Sequence, residues 1–378
     1  MTAPRFLQIH TLHSYTAALL NRDDSGLAKR LPYGDEMRTR ISSQCLKRHW
    51  RMAEKDPHSL HTINGAELAY RSRELVTDLV IGPLKGRYAD EIVESLEREF
   101  QKAVYGDKAD KGKKSRQTLL FGAPEIGWLA REAERLAAAA NSAEAAATAV
   151  GEWAKAFKDN MKVFRDSTAL PGGLTSALFG RMVTSDPAAN IDAPVHVAHA
   201  FTVHGEEAEG DYFTAVDDLK RDEDDSGADT IQETELTSGL FYGYVVVDLP
   251  GLIGNCAGDR ELASQVVHNL VHLIAEVSPG AKLGSTAPYG RADLMLIEAG
   301  DRQPRSMAGA YRKPVAHDLE RAVAALDDRL AKLDKTYATG EERRYLSLAD
   351  TPLTGPEQLA LKPLAEWAAG QVKEAPDA

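Results

Sequence analysis

Hydrophobic and polar positions alternate with a period near two in some parts of the chain and near three and a half in others. Phe6, Ile9 and Leu12 recur among polar residues after Pro4, which predicts an opening strand over Phe6 to Leu12. Leu240 to Leu249, dense in Tyr242, Tyr244, Val245, Val246 and Val247, predicts the strongest strand. Val195 to Val203 and Ala292 to Glu298 read as two more. Gly65 to about Phe157 is helical instead, with Ile92, Leu96 and Phe100 at helical spacing and an alanine-rich run from Ile126 to Ala156. Leu170-Pro171-Gly172-Gly173 breaks this block, and Leu174 to Met182 makes one more short helix. Glu261 to Val277, Val315 to Lys335 and Pro356 to Val372 are the later helices. Asn21 to Asp35, with Asp23, Asp24, Gly26, Pro32 and Gly34, has the chemistry of a loop. A sheet domain interrupted by a helical insertion fits this order, and the fold class is α+β.

Composition changes the picture little. A chain of 378 residues with 43% hydrophobic and 27% charged positions builds an ordinary core, and at about 100 to 200 residues per domain it holds two domains or one with large insertions. No apolar run approaches the roughly 20 residues that cross a bilayer. His10 and His13 stand where a signal peptide would be apolar, so the expected location is cytoplasmic, with no membrane partner. Cys45 and Cys256 are the two cysteines, which excludes a disulfide framework and a four-cysteine zinc site.

Charge changes it more. The net charge of −12 argues against a nucleic-acid partner. Thirteen acids between Gly205 and Glu235 face only Lys220 and Arg221, however, so this one segment carries nearly all of the excess and the rest is close to neutral. Against that background Lys29 to Arg51 holds Lys29, Arg30, Arg38, Arg40, Lys47, Arg48 and Arg51 against Asp35 and Glu36. A second basic cluster lies in Lys108 to Arg116, within a Gly106 to Lys114 loop.

Motifs for catalysis fail one by one. Gly106 to Ser115 imitates a phosphate-binding loop, but its glycine spacing is one residue too long and Lys114 takes the place of the magnesium-binding hydroxyl. His268 and His272 have the i, i+4 spacing of a zinc site, yet Asn269 stands where a zinc peptidase needs its glutamate, and a structural role is favoured. His317-Asp318 lacks companion histidines, and His196, His199 and His204 are irregularly spaced along a strand. No Gly-x-Ser-x-Gly elbow occurs. The chain is expected to have no catalytic residues, no metal and no cofactor.

The basic segment is different. Arg40, Ser42, Gln44, Lys47 and Arg51 set guanidinium, hydroxyl, amide and ammonium groups around one strand-to-helix junction. A serine there can cap a helix starting near Ser43, with Leu46, Trp50 and Ala53 on its apolar face. Such a mixture binds phosphate and sugar oxygens without reading bases, and the helix amino end adds donors. A plain solvated basic helix is the competing reading.

Asn21-Arg22-Asp23-Asp24, Arg40-Ile41-Ser42-Ser43-Gln44, Leu46-Lys47-Arg48, Phe179-Gly180-Arg181-Met182, Ala198-His199-Ala200 and Phe213 to Leu219 resemble the CasC family, the repeated backbone subunit of type I-E CRISPR Cascade. Ser238-Gly239 to Tyr244 and Pro279-Gly280-Ala281-Lys282 continue the likeness, which runs in order along nearly the whole chain. Cys45, His49, the Gly106 to Arg116 loop and the tail after about Gly340 depart from it.

The resemblance implies an RRM-like (ferredoxin-like) palm, a helical finger domain inserted into it and a β-hairpin thumb: palm over 1–57 and 237–345, finger over 58–182, thumb over 183–236 and a helical tail over 346–378. It implies a non-catalytic subunit that binds CRISPR RNA, polymerises with further copies of itself along the spacer and supports pairing of the target DNA strand. Its other partners would be the remaining Cascade subunits and, indirectly, a recruited helicase-nuclease. Arg22, Lys29, Arg40, Ser42, Gln44, Lys47 and Arg51 match positions that contact the guide backbone, with Ser42 and Gln44 reaching a 2′-hydroxyl, and Phe213 matches the thumb's apolar wedge. The alternative is a CRISPR RNA-processing endoribonuclease, which calls for a histidine beside a glycine-rich loop; Pro279 to Gly290 contains none.

Overall fold

A computed structural model describes residues 3–106, 118–183, 187–214 and 231–377, with 213, 214, 231 and 232 described by backbone only. The basic loop and the acidic tip around Arg221 to Asp229 lie outside the described residues. Two units emerge, one of Met1–Ser59, His196–Leu249 and Ser264–Pro376, the other of Leu60–Val195, Pro250–Ala263 and Asp377–Ala378.

The chain opens with β1 (Phe6–Ala18), β2 (Arg30–Tyr33), β3 (Glu36–Ile41) and α1 (Ser43–Arg51). Next come β4 (Ala69–Ser72), α2 (Asp90–Tyr105), β5 (Leu119–Gly122), α3 (Ala123–Ala139), α4 (Ala143–Lys155), α5 (Phe157–Asp166) and α6 (Gly173–Phe179). After β6 (Val195–Val197), β7 (Ala200–Thr202) and β8 (Ala208–Thr214), the long β9 (Ile231–Asp248) leads to α7 (Leu249–Asn255), α8 (Arg260–Glu276) and α9 (Leu283–Thr286). The last elements are β10 (Ala292–Gly300), α10 (Leu319–Tyr337), β11 (Glu342–Ser347), β12 (Glu357–Gln358) and α11 (Leu361–Glu374).

In the first unit a mostly antiparallel sheet runs in the order β12-β11-β10-β1-β9-β7-β3-β2, with β6 and β8 also paired to β9. β1 lies between β9 and β10, pairing His10 with Tyr244 on one side and Leu296 on the other. Strands buried on both faces lose strict alternation, which is why β1 read only imperfectly. Leu12, Tyr242, Leu294, Leu296 and Tyr345 form one apolar face with Val323, Leu326 and Leu330 of α10. The second unit has its own core, with Ile92, Leu96 and Phe100 of α2 packed on Leu129 and Ala133 of α3 and Val150 and Trp153 of α4. Glu125, fully buried, holds it from within by pairing with Arg165 (2.8 Å) and Arg181 (2.6 Å).

Several elements differ from the expectation. The helical block contains an antiparallel pair, β4 with β5, because Leu119 to Gly122 is a short, wholly buried apolar run that periodicity does not separate from a helix. The expected strand Val195 to Val203 is interrupted at Ala198-His199. Within the acidic segment, Ala208 to Thr214 pairs with the start of β9 despite its charge. β11 was not anticipated, since Glu342, Arg343 and Arg344 are weak strand formers; cross-strand pairing of Arg343 with Glu298 compensates.

That pairing belongs to a buried network. Glu298 is completely buried, where burial disfavours its charge, yet the His10 imidazole at 3.0 Å and the bidentate Arg305 hold its carboxyl well below the usual range. Arg343 adds a bond of 2.6 Å. Burial lowers the pKa of His10, so the neutral ring donates Nε2–H to Glu298 and accepts the Tyr242 hydroxyl at Nδ1 (2.8 Å). Removing one partner of a buried pair leaves the others uncompensated. Glu298→Gln should therefore cost about 3–5 kcal/mol at neutral pH. Because the folded carboxyl titrates below its unfolded value, its contribution is present at neutral pH and lost as pH falls below about 4. Denaturant titrations from pH 7 to 3 should show the wild type losing more stability on acidification than the variant.

Candidate nucleic-acid interface

Three extended segments meet where β3 turns into α1. The Lys29 N–H donates to the Asn21 carbonyl (2.9 Å), the Arg40 N–H donates to the Lys29 carbonyl (2.7 Å), and Arg22 faces Ala28 in an antiparallel bridge. Arg22, Lys29 and Arg40 therefore stand on adjoining backbone. The turn between Arg22 and Ala28 is closed by Asp23, whose carboxylate accepts the N–H groups of Ser25 (2.9 Å) and Leu27 (3.1 Å). The Asn21 side chain accepts the Ser42 N–H at 2.9 Å, tying this turn to the head of α1.

Ser42 is the N-cap expected from sequence: its hydroxyl accepts the Cys45 N–H at 3.3 Å. It is buried, whereas Gln44 is exposed and Lys47 and Arg51 are half-buried. On the inner face of α1, Leu46 and Trp50 line an apolar space with Ile41, Ala200 and Phe241. The cations of the helix thus lie off its packed face.

His199, treated from sequence as a strand residue without a role, sits inside the junction. Its Nδ1 accepts the Ser43 N–H at 2.9 Å and lies 3.4 Å from the Arg40 guanidinium. Desolvation, then the charges of Arg40, Lys29 and Lys47, lower its pKa, so all three cations act electrostatically on this ring. Two amino-end donors of α1 are thereby satisfied from within, by His199 and Ser42, so side-chain cations carry the electropositive character of this surface. The signal for His199 was available only through register, as Ile41 pairs with Ala200 beside it.

Not every base of the segment belongs to that surface. Arg38 is fully buried and donates to the carbonyls of Thr202 (2.9 Å), His204 (3.1 Å) and Tyr311 (3.1 Å). Arg30 pairs with Glu206 and Glu235, which accounts for two acids of the acidic segment. His49, a departure from the family motif, donates Nδ1–H to the Cys45 carbonyl (2.8 Å) and accepts the Gly280 N–H at Nε2 (3.3 Å). The Pro279 to Lys282 motif is thereby held against α1, and the Lys282 ammonium reaches the Thr234 hydroxyl. Phe213 stands in β8 opposite Gln232, and its side chain lies outside the described residues.

Among the described residues, other chemistry-bearing groups are engaged in the fold. His204 donates to the Gly205 carbonyl (2.7 Å) and accepts the Leu240 N–H (3.1 Å), using both ring nitrogens. Burial pushes the Cys45 thiol up to about 11 and the Cys256 thiol to about 12, far from reactive thiolates. Among the described residues no helix is long and apolar enough to cross a membrane.

The family model described as CT1975-like protein matches residues 7–368. The chain belongs to that family. A solved chain described as "CRISPR RNA-guided surveillance complex, pre-nicking" superposes with a TM-score of 0.81 at 26% identity, covering 97% of this chain and 100% of that one. Another, described as "CRISPR RNA-guided surveillance complex", gives 0.60 at 22% identity over 97% and 98% and shows the shared fold. No curated protein matches. The resemblance to CasC read from separated motifs and this family membership agree.

The two polar residues of the junction differ in what they do for the fold. Ser42→Ala should destabilise the isolated protein by about 0.5–2 kcal/mol through loss of the cap, while Gln44→Ala stays within about 0.5 kcal/mol. Urea unfolding of both variants measures the difference.

Proposed function

We propose that this protein is a non-catalytic guide-RNA-binding subunit that assembles in several copies along a CRISPR RNA as the backbone of a surveillance complex and supports pairing with target DNA. The observation that carries this reading is the convergence of Lys29 and Arg40 on adjoining backbone at the head of α1, made rigid by Asn21, Ser42 and Arg38, with Arg40, Lys29 and Lys47 all acting electrostatically on His199. Cations at a fixed spacing and off the packed face bind phosphates without selecting bases, which suits a holder that must accept any spacer. Arg22, Arg51 and exposed Gln44 extend this surface, and membership of the family together with the fold of surveillance-complex chains supports it. In this reading the sheet unit is the RRM-like palm, the helical unit the finger, and the β8–β9 hairpin the base of the thumb that carries Phe213.

Counterion release gives the reading a quantitative test. Each phosphate neutralised on single-stranded nucleic acid adds about 0.7 to the slope of log affinity against log salt. Lys29→Ala with Lys47→Ala should lower that slope by about 1.4, weaken binding equally for unrelated guide sequences and leave the thermal transition nearly unchanged. Fluorescence anisotropy across a salt series checks this. An unaltered slope in the folded double variant overturns the assignment of these residues.

A further inference from the structure

Away from the basic junction, three histidines gather where the segment following α1 meets α8. His58 and His272 stack with ring centroids 3.6 Å apart and planes within 5°, and the His268 ring lies 5.0 Å from that of His272. His272 is 5% exposed and its Nε2 has no hydrogen-bond partner; Nδ1 of His58 is likewise buried and makes no hydrogen bond, with the Asp56 carboxylate 3.8 Å away. Two buried imidazole nitrogens without hydrogen bonds in one place call for a ligand, since a buried polar atom that makes none is costly.

The surroundings specify the kind of ligand. Nδ1 of His272 donates to Glu276 at 3.3 Å, because a carboxylate can only accept. That bond leaves Nε2 as a bare lone pair, the arrangement in which a carboxylate orients a metal-binding imidazole. His268 is oriented in a related way, its Nδ1 lying 3.3 Å from the Asn269 amide oxygen. Asp56 accepts the His58 N–H at 2.7 Å and fixes the turn that presents His58. Atoms offered by His58, His272 and Glu276 all lie within 4.8 Å of one another.

We propose that His58 and His272 bind a divalent transition-metal ion of the zinc type through the nitrogens that make no hydrogen bond, with Glu276 fixing His272 and His268 placed as a third imidazole. Nitrogen donors select such ions over magnesium or calcium. Parallel rings cannot both aim their lone pairs at one ion, so uptake turns at least one ring about its Cβ–Cγ bond; His58, the more exposed of the two, is free of helix constraints. The ion would pin the segment after α1 onto α8, a structural role distinct from peptidase chemistry, for which Asn269 supplies no base. The second cluster, His204, Glu207 and His317, fails the same test because both nitrogens of His204 are already used.

Zinc competition against a chromophoric chelator, and visible absorption on titrating cobalt(II), test this on the full chain after chelator treatment. One ion per chain should bind the wild type and raise its melting temperature. His58→Ala and His272→Ala should each abolish stoichiometric uptake, Glu276→Gln should weaken it about ten- to hundredfold, and His317→Ala should leave it unchanged. Because His58 is half-exposed, His58→Ala keeps the fold and decides the matter even where His272→Ala does not fold. Failure of the folded wild type to take up one equivalent, or full uptake by folded His58→Ala, overturns the proposal.

Discussion

Everything at the basic junction depends on a guanidinium held inside the protein by carbonyl groups. Arg38 is fully buried, and its bonds run to the main-chain oxygens of Tyr33, Thr202, His204 and Tyr311. Transfer of a charge into the interior is tolerable only where its donors are satisfied, and the planar fork of arginine meets several carbonyls at once as lysine cannot. The consequence is geometric. Three separate segments must keep their positions around one side chain, so the course of β3 is set just before it delivers Arg40 and the Ser42 cap. A cation counted from sequence with the basic segment is instead buried, and braces the backbone beneath the exposed cations.

The same economy appears in the sheet. Glu298, also without exposure, links β10 to β1 through His10 and to β11 through Arg343, while Tyr242 carries the connection to β9. Four adjoining strands are thus joined by side chains as well as by the backbone ladder. Such a network adds specificity of register more surely than net stability, because a slip by one residue would strand Glu298 away from every partner. The helical unit uses the same device on a smaller scale, with Glu125 between Arg165 and Arg181.

These devices explain what could be read from the sequence and what could not. The strands over Leu240 to Leu249 and Ala292 to Glu298, the helices over Glu261 to Val277 and Val315 to Lys335, and the cap at Ser42 were legible because burial on a regular face imposes a period. β11 was hidden by charges whose partners lie on another strand, and β4 and β5 by their brevity. At the junction, composition singled out a basic segment but counted Arg30 and Arg38 with the rest, since nothing local says that one meets Glu206 and Glu235 and the other is buried. His199 was passed over for the same reason: its role follows from the pairing of β3 with β7, a contact between residues some 160 positions apart.

Rigidity at the junction also bears on how the proposed sequence-independent holder would be specific for nucleic acid at all. A flexible cationic arm binds any polyanion and pays conformational entropy on each contact. Here the ring of His199 keeps Nδ1 for the Ser43 amide, so its remaining proton is on Nε2, and its lowered pKa keeps it neutral among three cations. A neutral donor within a fixed array of charges can meet a sugar hydroxyl or a phosphate oxygen without adding to the repulsion that separates Lys29, Arg40 and Lys47. In the proposed role, neutrality at this position adds no further repulsion among the cations, and the capped, carbonyl-braced backbone beneath them holds their arrangement before any ligand arrives.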